Sequence, residues 1–324
     1  MNAIIPVAGR GKRLRPHTHT QPKPLMHVAG KPILAYILDD LCDLGVDEIT
    51  FVVGYLAEKV EQFVRERYPF RAHFVHQDEP MGNGHAVYLA REHLAGPTLI
   101  VFGDTIVRAD LREAARLAHS AIGVSRVSDP RAFGVVELDG DGFVRHLWEK
   151  PEIPRSDLAV VGVYMIQRPA PLRAALERLV DERRLVNGEY WLADALQIMV
   201  DGDERLETFP VDHWYDCGTP EALLRANHAL LESAPAPRDI PGSVVIAPSF
   251  IADTAAVEGS VIGPFVTVAE GAQIRNAVIR DSIINAGART ESVLLEHSII
   301  GESAVVTGRC GRINIGDSSE VELS

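Results

Sequence analysis

The chain alternates short apolar runs with stretches in which apolar residues recur every three or four positions. Ile4, Ile5 and Val7 make an apolar strand. Pro32–Leu44 carries apolar residues at helical spacing, and Gly45 stands where a helix C-cap glycine belongs. Glu48–Val53 then reads as a strand, Ala57–Arg67 as a helix, Ala72–His76 as a strand, Asn83–His93 as a helix and Pro97–Phe102 as a strand. Such alternation predicts right-handed βαβ units and a mostly parallel sheet, whose ligand crevice lies at the carboxyl ends of the strands. Residues 124–151 break the rhythm with a strand, an exposed turn and a hairpin across Asp139–Gly142. Ser156–Ile166 is again a strand, and Thr219 followed by Pro220 marks a helix start.

Residues 233–242 (SAPAPRDIPG) are rich in proline and poor in apolar residues, as in a linker. Beyond them the helical pattern is lost. Ile251, Val257, Ile262, Val268 and Ile274 recur at steps of five or six, as do Val293, Ile299 and Val305, with Gly263, Gly271, Gly287, Gly301 and Gly308 at the corners. A six-residue period predicts a parallel β-helix, each repeat forming one side of a triangular coil; at ~18 residues per coil the tail holds about four or five. The chain thus divides into residues 1–232, a linker at 233–242 and a β-helix at 243–324.

Composition narrows the function. With 324 residues, 46% of them hydrophobic, the chain can bury a large core and more than one domain. No window approaches the ~18 to 20 apolar residues of a membrane span, and the N-terminus shows no secretory leader. Cys42, Cys217 and Cys310 are odd in number and lack metal-ligand spacing, which suits a reducing, cytoplasmic setting. A formal charge of −13 argues against nucleic acid or an anionic membrane as partner.

Candidate chemistry begins at the first strand's end. Gly9, Gly11, Lys12, Arg13 and Arg15 follow it directly, and Lys23 lies between two prolines. Glycines bring backbone amides close to an anion and the cations neutralise it, so phosphate is the expected guest. The loop lacks the third glycine of a dinucleotide fingerprint and the GK[ST] of a P-loop. Gln77 and Asp104 also fall just after predicted strand ends. The Gln77 amide carries both donors and an acceptor, as a pyrimidine edge does, and Gly82 and Gly84 let a backbone approach a base. A carboxylate such as Asp104 at a strand end suits a divalent cation that bridges nucleotide phosphates. His17 and His19 read as part of a solvated turn.

Together, G-x-G-K-R-L-R-P with P-K-P-L, the segment QDEPMGNGHA, the strand end GD, the F-G-V run followed by E-K-P, G-E-x-x-x-x-D-A and W-x-D-x-G-T-P-E resemble the sugar-nucleotidyltransferases (nucleoside-diphosphate-sugar pyrophosphorylases) in chain order over residues 1–232. The resemblance implies a Rossmann-like α/β nucleotidyltransferase domain followed by a left-handed parallel β-helix. It places Ala8, Gly9, Gly11, Arg13, Gln77, Gly82 and Asp104 on the nucleotide. Gly134, Glu149, Lys150, Gly162 and Glu189 fall on the sugar phosphate, and Asp104 and Asp216 on Mg²⁺. Arg13, Lys23, Asp104 and Asp216 would carry catalysis. The chain departs from the family pattern at Lys12, where Thr or Ser is usual, at Thr105, where Asn is frequent, and at Asn187, where many relatives have arginine.

The implied reaction joins a nucleoside triphosphate to a sugar-1-phosphate and releases pyrophosphate. The layout, with SDLAVVGVY and the terminal INIGDSSEVEL, is most similar to long-form members that use dTTP and glucose-1-phosphate. Members using GTP with mannose-1-phosphate, or UTP with glucose-1-phosphate, share the loop, and a non-catalytic sugar-nucleotide sensor is the reading from another class. A dehydrogenase lacks support because the fingerprint loop is absent. For the β-helix, oligomer contact or regulation is expected over a second activity, since His297 is the tail's one histidine.

Overall fold

The structure is a computed structural model and describes residues 1–308 and 313–323. Cys310 lies outside the described residues. The chain forms two compact units, one of Met1–Gly9 with Ile37–Trp214, the other of Arg10–Tyr36 with Tyr215–Ser324. Among the described residues no helix is long and apolar enough to cross a membrane.

The first unit is built on a nine-stranded sheet. Its parallel part runs Thr98–Val101, Asn2–Pro6, Glu48–Val53, Arg71–His76, the last being the edge. The three inner strands read as near-continuous Ile, Val, Leu and Phe because both faces are covered, as parallel sheets require, whereas the edge strand, RAHFVH, is only half-buried. Ile4, Ile5, Ile49, Phe51, Leu99 and Ile100 are fully buried. The other side of Thr98–Val101 pairs antiparallel with Leu158–Ile166, which carries Gly134–Leu138 and Ser120–Arg126. Val144–Glu149 joins Gly134–Leu138 as a hairpin, and Leu206–Pro210 runs parallel to Ser120–Arg126. At the hairpin turn, Asp139 accepts from the backbone N–H groups of Asp141 and Phe143, both at 2.9 Å. Helices Asn83–Leu89, Pro169–Asp181 and Leu192–Asp201 bury Val87, Leu172, Leu176, Leu179, Leu192 and Leu196 in one core with the sheet. The helix expected over Asn83–His93 is shorter: it ends at Leu89, and the chain tightens into a 3₁₀ turn at Arg91–His93.

In the second unit, three parallel sheets of four, five and five strands stack as the faces of the left-handed β-helix. Ile262, Val268, Ile274, Ile279, Ile284, Leu295 and Ile300 fill its interior. The coils are shorter than the expected 18 residues. Ser249 pairs with Val266, a step of 17; Ile283 with Ile299, a step of 16; and Ile299 with Asn314, a step of 15. Left-handed residues at the corners, among them Asn276, Asp281, Ser292 and Ser303, turn the chain in fewer residues than a full hexapeptide provides. The drift also moves the core position from Val305, which is half-buried, to Val306. The proline-rich stretch before the first coil is pinned, because Arg238 donates to the carbonyls of Ala252 (3.1 Å) and Ala255 (2.8 Å). His297 sits at an exposed corner, 3.3 Å from Glu296.

Candidate active site

In the first unit, parallel strand ends deliver three loops to one edge. The Val7 N–H reaches the Val52 carbonyl at 2.8 Å, the Gln77 N–H the Val53 carbonyl at 2.8 Å, and the Gly103 N–H the Pro6 carbonyl at 3.2 Å. Ala8 and Gln77 converge there, since a Cβ added at Gly54 would lie 3.0 Å from the carbonyl oxygens of both. Gly54 was not singled out from the sequence, where one glycine after an apolar strand reads as an ordinary turn. Around Gly9 the space is open, with no heavy atom within 4 Å of an added Cβ. Asp104 follows the strand Thr98–Val101, and Thr105 beside it accepts from Trp214 Nε1 at 2.7 Å.

Gln77 is buried, and its amide nitrogen faces the Gly82 carbonyl at 3.1 Å and His85 Nδ1 at 3.0 Å. A carbonyl can only accept, so the atom facing it is the amide nitrogen. Both hydrogens are therefore used within the loop, leaving the carbonyl oxygen as what Gln77 offers a ligand. Burial lowers the pKa of His85, against a smaller opposite pull from Glu79, which favours the neutral ring with Nδ1 accepting. The loop is stitched to a second one: Gly84 N–H to the Tyr190 carbonyl at 2.9 Å, Tyr190 N–H to the Met81 carbonyl at 2.8 Å, and Leu192 N–H to Asn83 Oδ1 at 2.8 Å.

That second loop leads to the sugar-side residues. Val186–Glu189 is a tight turn with Asn187 at φ +53° and Gly188 at φ +80°, closed by the Glu189 N–H on the Val186 carbonyl at 3.1 Å. Positive φ at both central residues selects Asn-Gly, which suits Asn187 at a position where many relatives have arginine. Gly134 and Glu149 are register partners in the hairpin, and Glu149 Oε2 lies 3.1 Å from a Cβ built on Gly134. Lys150 Nζ stands 3.4 Å from Glu149 Oε1 and 4.2 Å from the Trp191 ring centroid. Burial raises the Glu149 pKa; Lys150 opposes this, while Asp194 and Glu189 add to it. Asp194 is also raised by burial, eased by Arg184, and its Oδ2 is buried without a hydrogen-bond partner. Gly162, at φ +80°, packs on Phe102 and hands its carbonyl to the Phe102 N–H at 2.8 Å. His85, Trp191 and Asp194 were not among the residues assigned from sequence, although Asp194 belongs to the G-E-x-x-x-x-D-A motif.

In the second unit, the loop runs through 3₁₀ turns at Lys12–Leu14, His17–His19 and Lys23–Leu25. Gly11, at φ +57°, is packed so that a Cβ would meet Thr18 Cγ2 at 3.0 Å and Lys23 Cβ at 3.2 Å, and Thr18 donates to the Gly11 carbonyl at 2.8 Å. Lys23 is buried. Arg13 and Asp216 meet around Gly218, whose added Cβ would lie 2.6 Å from Arg13 Nη2 and 2.9 Å from Asp216 Oδ1. Thr219 caps the helix Pro220–Leu231 through Ala222 N–H at 3.2 Å. The expectation of a solvated turn fails at His17, which is buried and bonded through Nε2 to Asn314 Oδ1. Its pKa is lowered by burial, with Asn314 and Asp317 opposing. Polar residues from the last coil thus hold the loop that the sequence presents as an exposed run of Pro, Thr and His.

The family model described as Nucleotidyl transferase matches residues 2–233. The chain belongs to the nucleotidyl transferase family. It is 31% identical to a glucose-1-phosphate thymidylyltransferase of Streptomyces griseus, with all of both chains covered. It is 30% identical, again over both full lengths, to the low-salt glycan biosynthesis nucleotidyltransferase Agl11 of Haloferax volcanii. Its fold is similar to that of a UDP-glucose pyrophosphorylase solved with UDP-glucose, at 21% identity and a TM-score of 0.61, covering 72% of this chain and 99% of that one. As a nucleotidyl transferase, the enzyme needs aligned phosphates and neutralised charge more than a protein nucleophile.

Proposed function

We propose that the enzyme transfers a nucleoside monophosphate from a nucleoside triphosphate to a sugar-1-phosphate, with dTTP and glucose-1-phosphate as the preferred pair and dTDP-glucose and pyrophosphate as products. The observation that carries this reading is the similarity over the whole chain to glucose-1-phosphate thymidylyltransferases, β-helix included. Gln77 supports it. A side chain that offers only an acceptor suits the N3–H of thymine or uracil and opposes the N3 lone pair of cytosine. The same acceptor suits guanine N1–H, which keeps GTP with mannose-1-phosphate as the alternative pair, beside UTP with glucose-1-phosphate.

In the proposed reaction a phosphate oxygen of the sugar-1-phosphate attacks the α-phosphorus, one P–O bond forms, and the bond to the β,γ-pyrophosphate breaks. Arg13 would take up charge on the leaving pyrophosphate, and Lys23 would hold the α-phosphate. Lys150, held between Glu149 and the Trp191 ring, would orient the incoming phosphate, with Glu149 and Glu189 on sugar hydroxyls and Gly134 and Gly162 lining the sugar. Ala8, Gly9, Gly11 and Gly82 would wrap the nucleotide. Asp104 and Asp216 would each offer hard oxygen donors, the kind that Mg²⁺ takes beside substrate oxygens and water. That ion, when bound, neutralises charge on the phosphates. In this reading residues 1–232 are the catalytic part, 233–242 the linker and 243–324 an oligomerising β-helix of a cytoplasmic enzyme, without nucleic-acid or membrane partner.

The test is pyrophosphate release with Mg²⁺ over dTTP, UTP, GTP, ATP and CTP against glucose-, mannose-, galactose- and N-acetylglucosamine-1-phosphate. The highest kcat/KM is expected for dTTP with glucose-1-phosphate. A maximum at GTP with mannose-1-phosphate keeps the chemistry and replaces the pair; nucleotide binding without turnover on every pair leaves a sensor.

A further inference from the structure

Three metal-ligating side chains meet on the sheet of the first unit, away from the strand ends that carry Gln77 and Asp104. Glu48 is the first residue of its strand, His73 lies on the edge strand Arg71–His76, and His93 ends the 3₁₀ turn Arg91–His93. Glu48 is the register partner of Arg71, and Thr50 that of His73. Side chains alternate faces along a strand, so Glu48 and His73 project from the same face, one diagonal step apart. Glu48 Oε1 lies 2.8 Å from His73 Nε2, while Arg71 Nη1 occupies the other carboxylate oxygen at 3.3 Å. The His73 and His93 ring centroids are 4.8 Å apart. One ligand atom from each of the three residues lies within 4.8 Å of the others, and all three side chains are half-buried.

The sequence gives no warning of this cluster, because the residues are 25 and 20 positions apart. A half-buried histidine beside a glutamate is ordinarily an ion pair. Here a second imidazole comes up to the first, and two imidazoles with one carboxylate form a donor set for borderline cations such as Zn²⁺ or Co²⁺, and a poor one for Mg²⁺. Around a tetrahedral ion with bonds of about 2.0–2.1 Å the ligand atoms stand about 3.4 Å apart. To reach that spacing Glu48 and His73 would part from 2.8 Å, and separations of up to 4.8 Å would close, among side chains that are half-exposed.

We propose that Glu48, His73 and His93 bind a divalent transition-metal ion of the Zn²⁺ class, with water in the fourth position. The ion ties the sheet's edge strand and its neighbour to the segment that feeds the next parallel strand. It is a stabilising site, separate from the cation of the transfer reaction.

The test uses the full chain, freed of any affinity tag and stripped with chelator. Zn²⁺ uptake is measured by equilibrium dialysis in millimolar Mg²⁺, Co²⁺ binding by visible absorption, and the thermal midpoint with and without Zn²⁺. One Zn²⁺ per chain and a tetrahedral Co²⁺ spectrum are expected. His73→Gln and His93→Gln should each weaken uptake roughly tenfold or more and abolish the Zn²⁺-dependent rise in midpoint, with turnover unchanged. Absence of uptake by the unaltered chain at ~100 μM Zn²⁺, or wild-type affinity in both variants, overturns the site. Since turnover is read separately, these outcomes do not depend on the substrate pair.

Discussion

Gln77 gives its amide nitrogen to His85 Nδ1 at 3.0 Å, so the side chain proposed to face the base has its orientation set by a residue eight positions on, in the helix Asn83–Leu89. Without that acceptor the amide is freer to flip and present a donor. His85→Ala is expected to leave the fold intact, to lower kcat/KM for dTTP about tenfold (~1.4 kcal/mol) and to narrow its advantage over CTP. Steady-state kinetics on both nucleotides checks this; an unchanged dTTP-to-CTP ratio would show that Gln77 is oriented by Gly82 alone.

Gly82 supplies the other half of that orientation. It sits at φ +97°, and an added Cβ would run into the Tyr190 carbonyl. Gly82→Ala should therefore cost more than about 2 kcal/mol locally and raise the KM for the nucleotide, with a smaller effect on the sugar phosphate. Denaturant unfolding together with kinetics separates the two effects.

Burial raises the folded-state pKa of both Glu149 and Asp194 from their ordinary values. Here the native state holds the proton more tightly than the unfolded chain does. The cost of keeping these groups charged is absent below their unfolded pKa values, grows as pH rises, and is complete above the raised native ones. Asp194→Asn is expected to be more stable than the parent at pH 7, with the gap closing on acidification. Unfolding curves from pH 4 to 8 would refute this if the gap were constant. A related consequence concerns binding: if Glu149 holds sugar hydroxyls as proposed, the KM for the sugar phosphate should rise on acidification at a pH above the titration of an ordinary glutamate, because the charged carboxylate is the stronger acceptor.

Asp216 and Arg13 meet around Gly218. Asp216→Ala should lower kcat by two or more orders of magnitude without loss of the folded state, and the loss should persist at high Mg²⁺. Circular dichroism and pyrophosphate release at several Mg²⁺ concentrations test it; full activity at limiting Mg²⁺ would remove Asp216 from the cation site.

Much of this molecule is legible along the chain. Alternating strands and helices, the hairpin at Asp139–Gly142, the cap at Thr219–Pro220 and the six-residue period all depend on local periodicity and turn chemistry, which act between near neighbours. Ala8, Gln77 and Asp104 follow strand ends for the same reason. What the pattern leaves open is set by partners distant in sequence. The burial of His17 comes from Asn314, the coil length drifts from 17 to 15 as corners tighten, and Gln77 loses its donors to Gly82 and His85.

The amino-acid sequence by itself determined the class of the fold, the succession of elements and the residue types proposed for the phosphates, because hydrophobic period and glycine placement are local properties. Tertiary structure alone decided which hydrogens remained to offer a ligand, which carboxylates paid for burial, and that Glu48, His73 and His93 share one face. Those outcomes depend on distances across the sheet, and a linear pattern does not carry them.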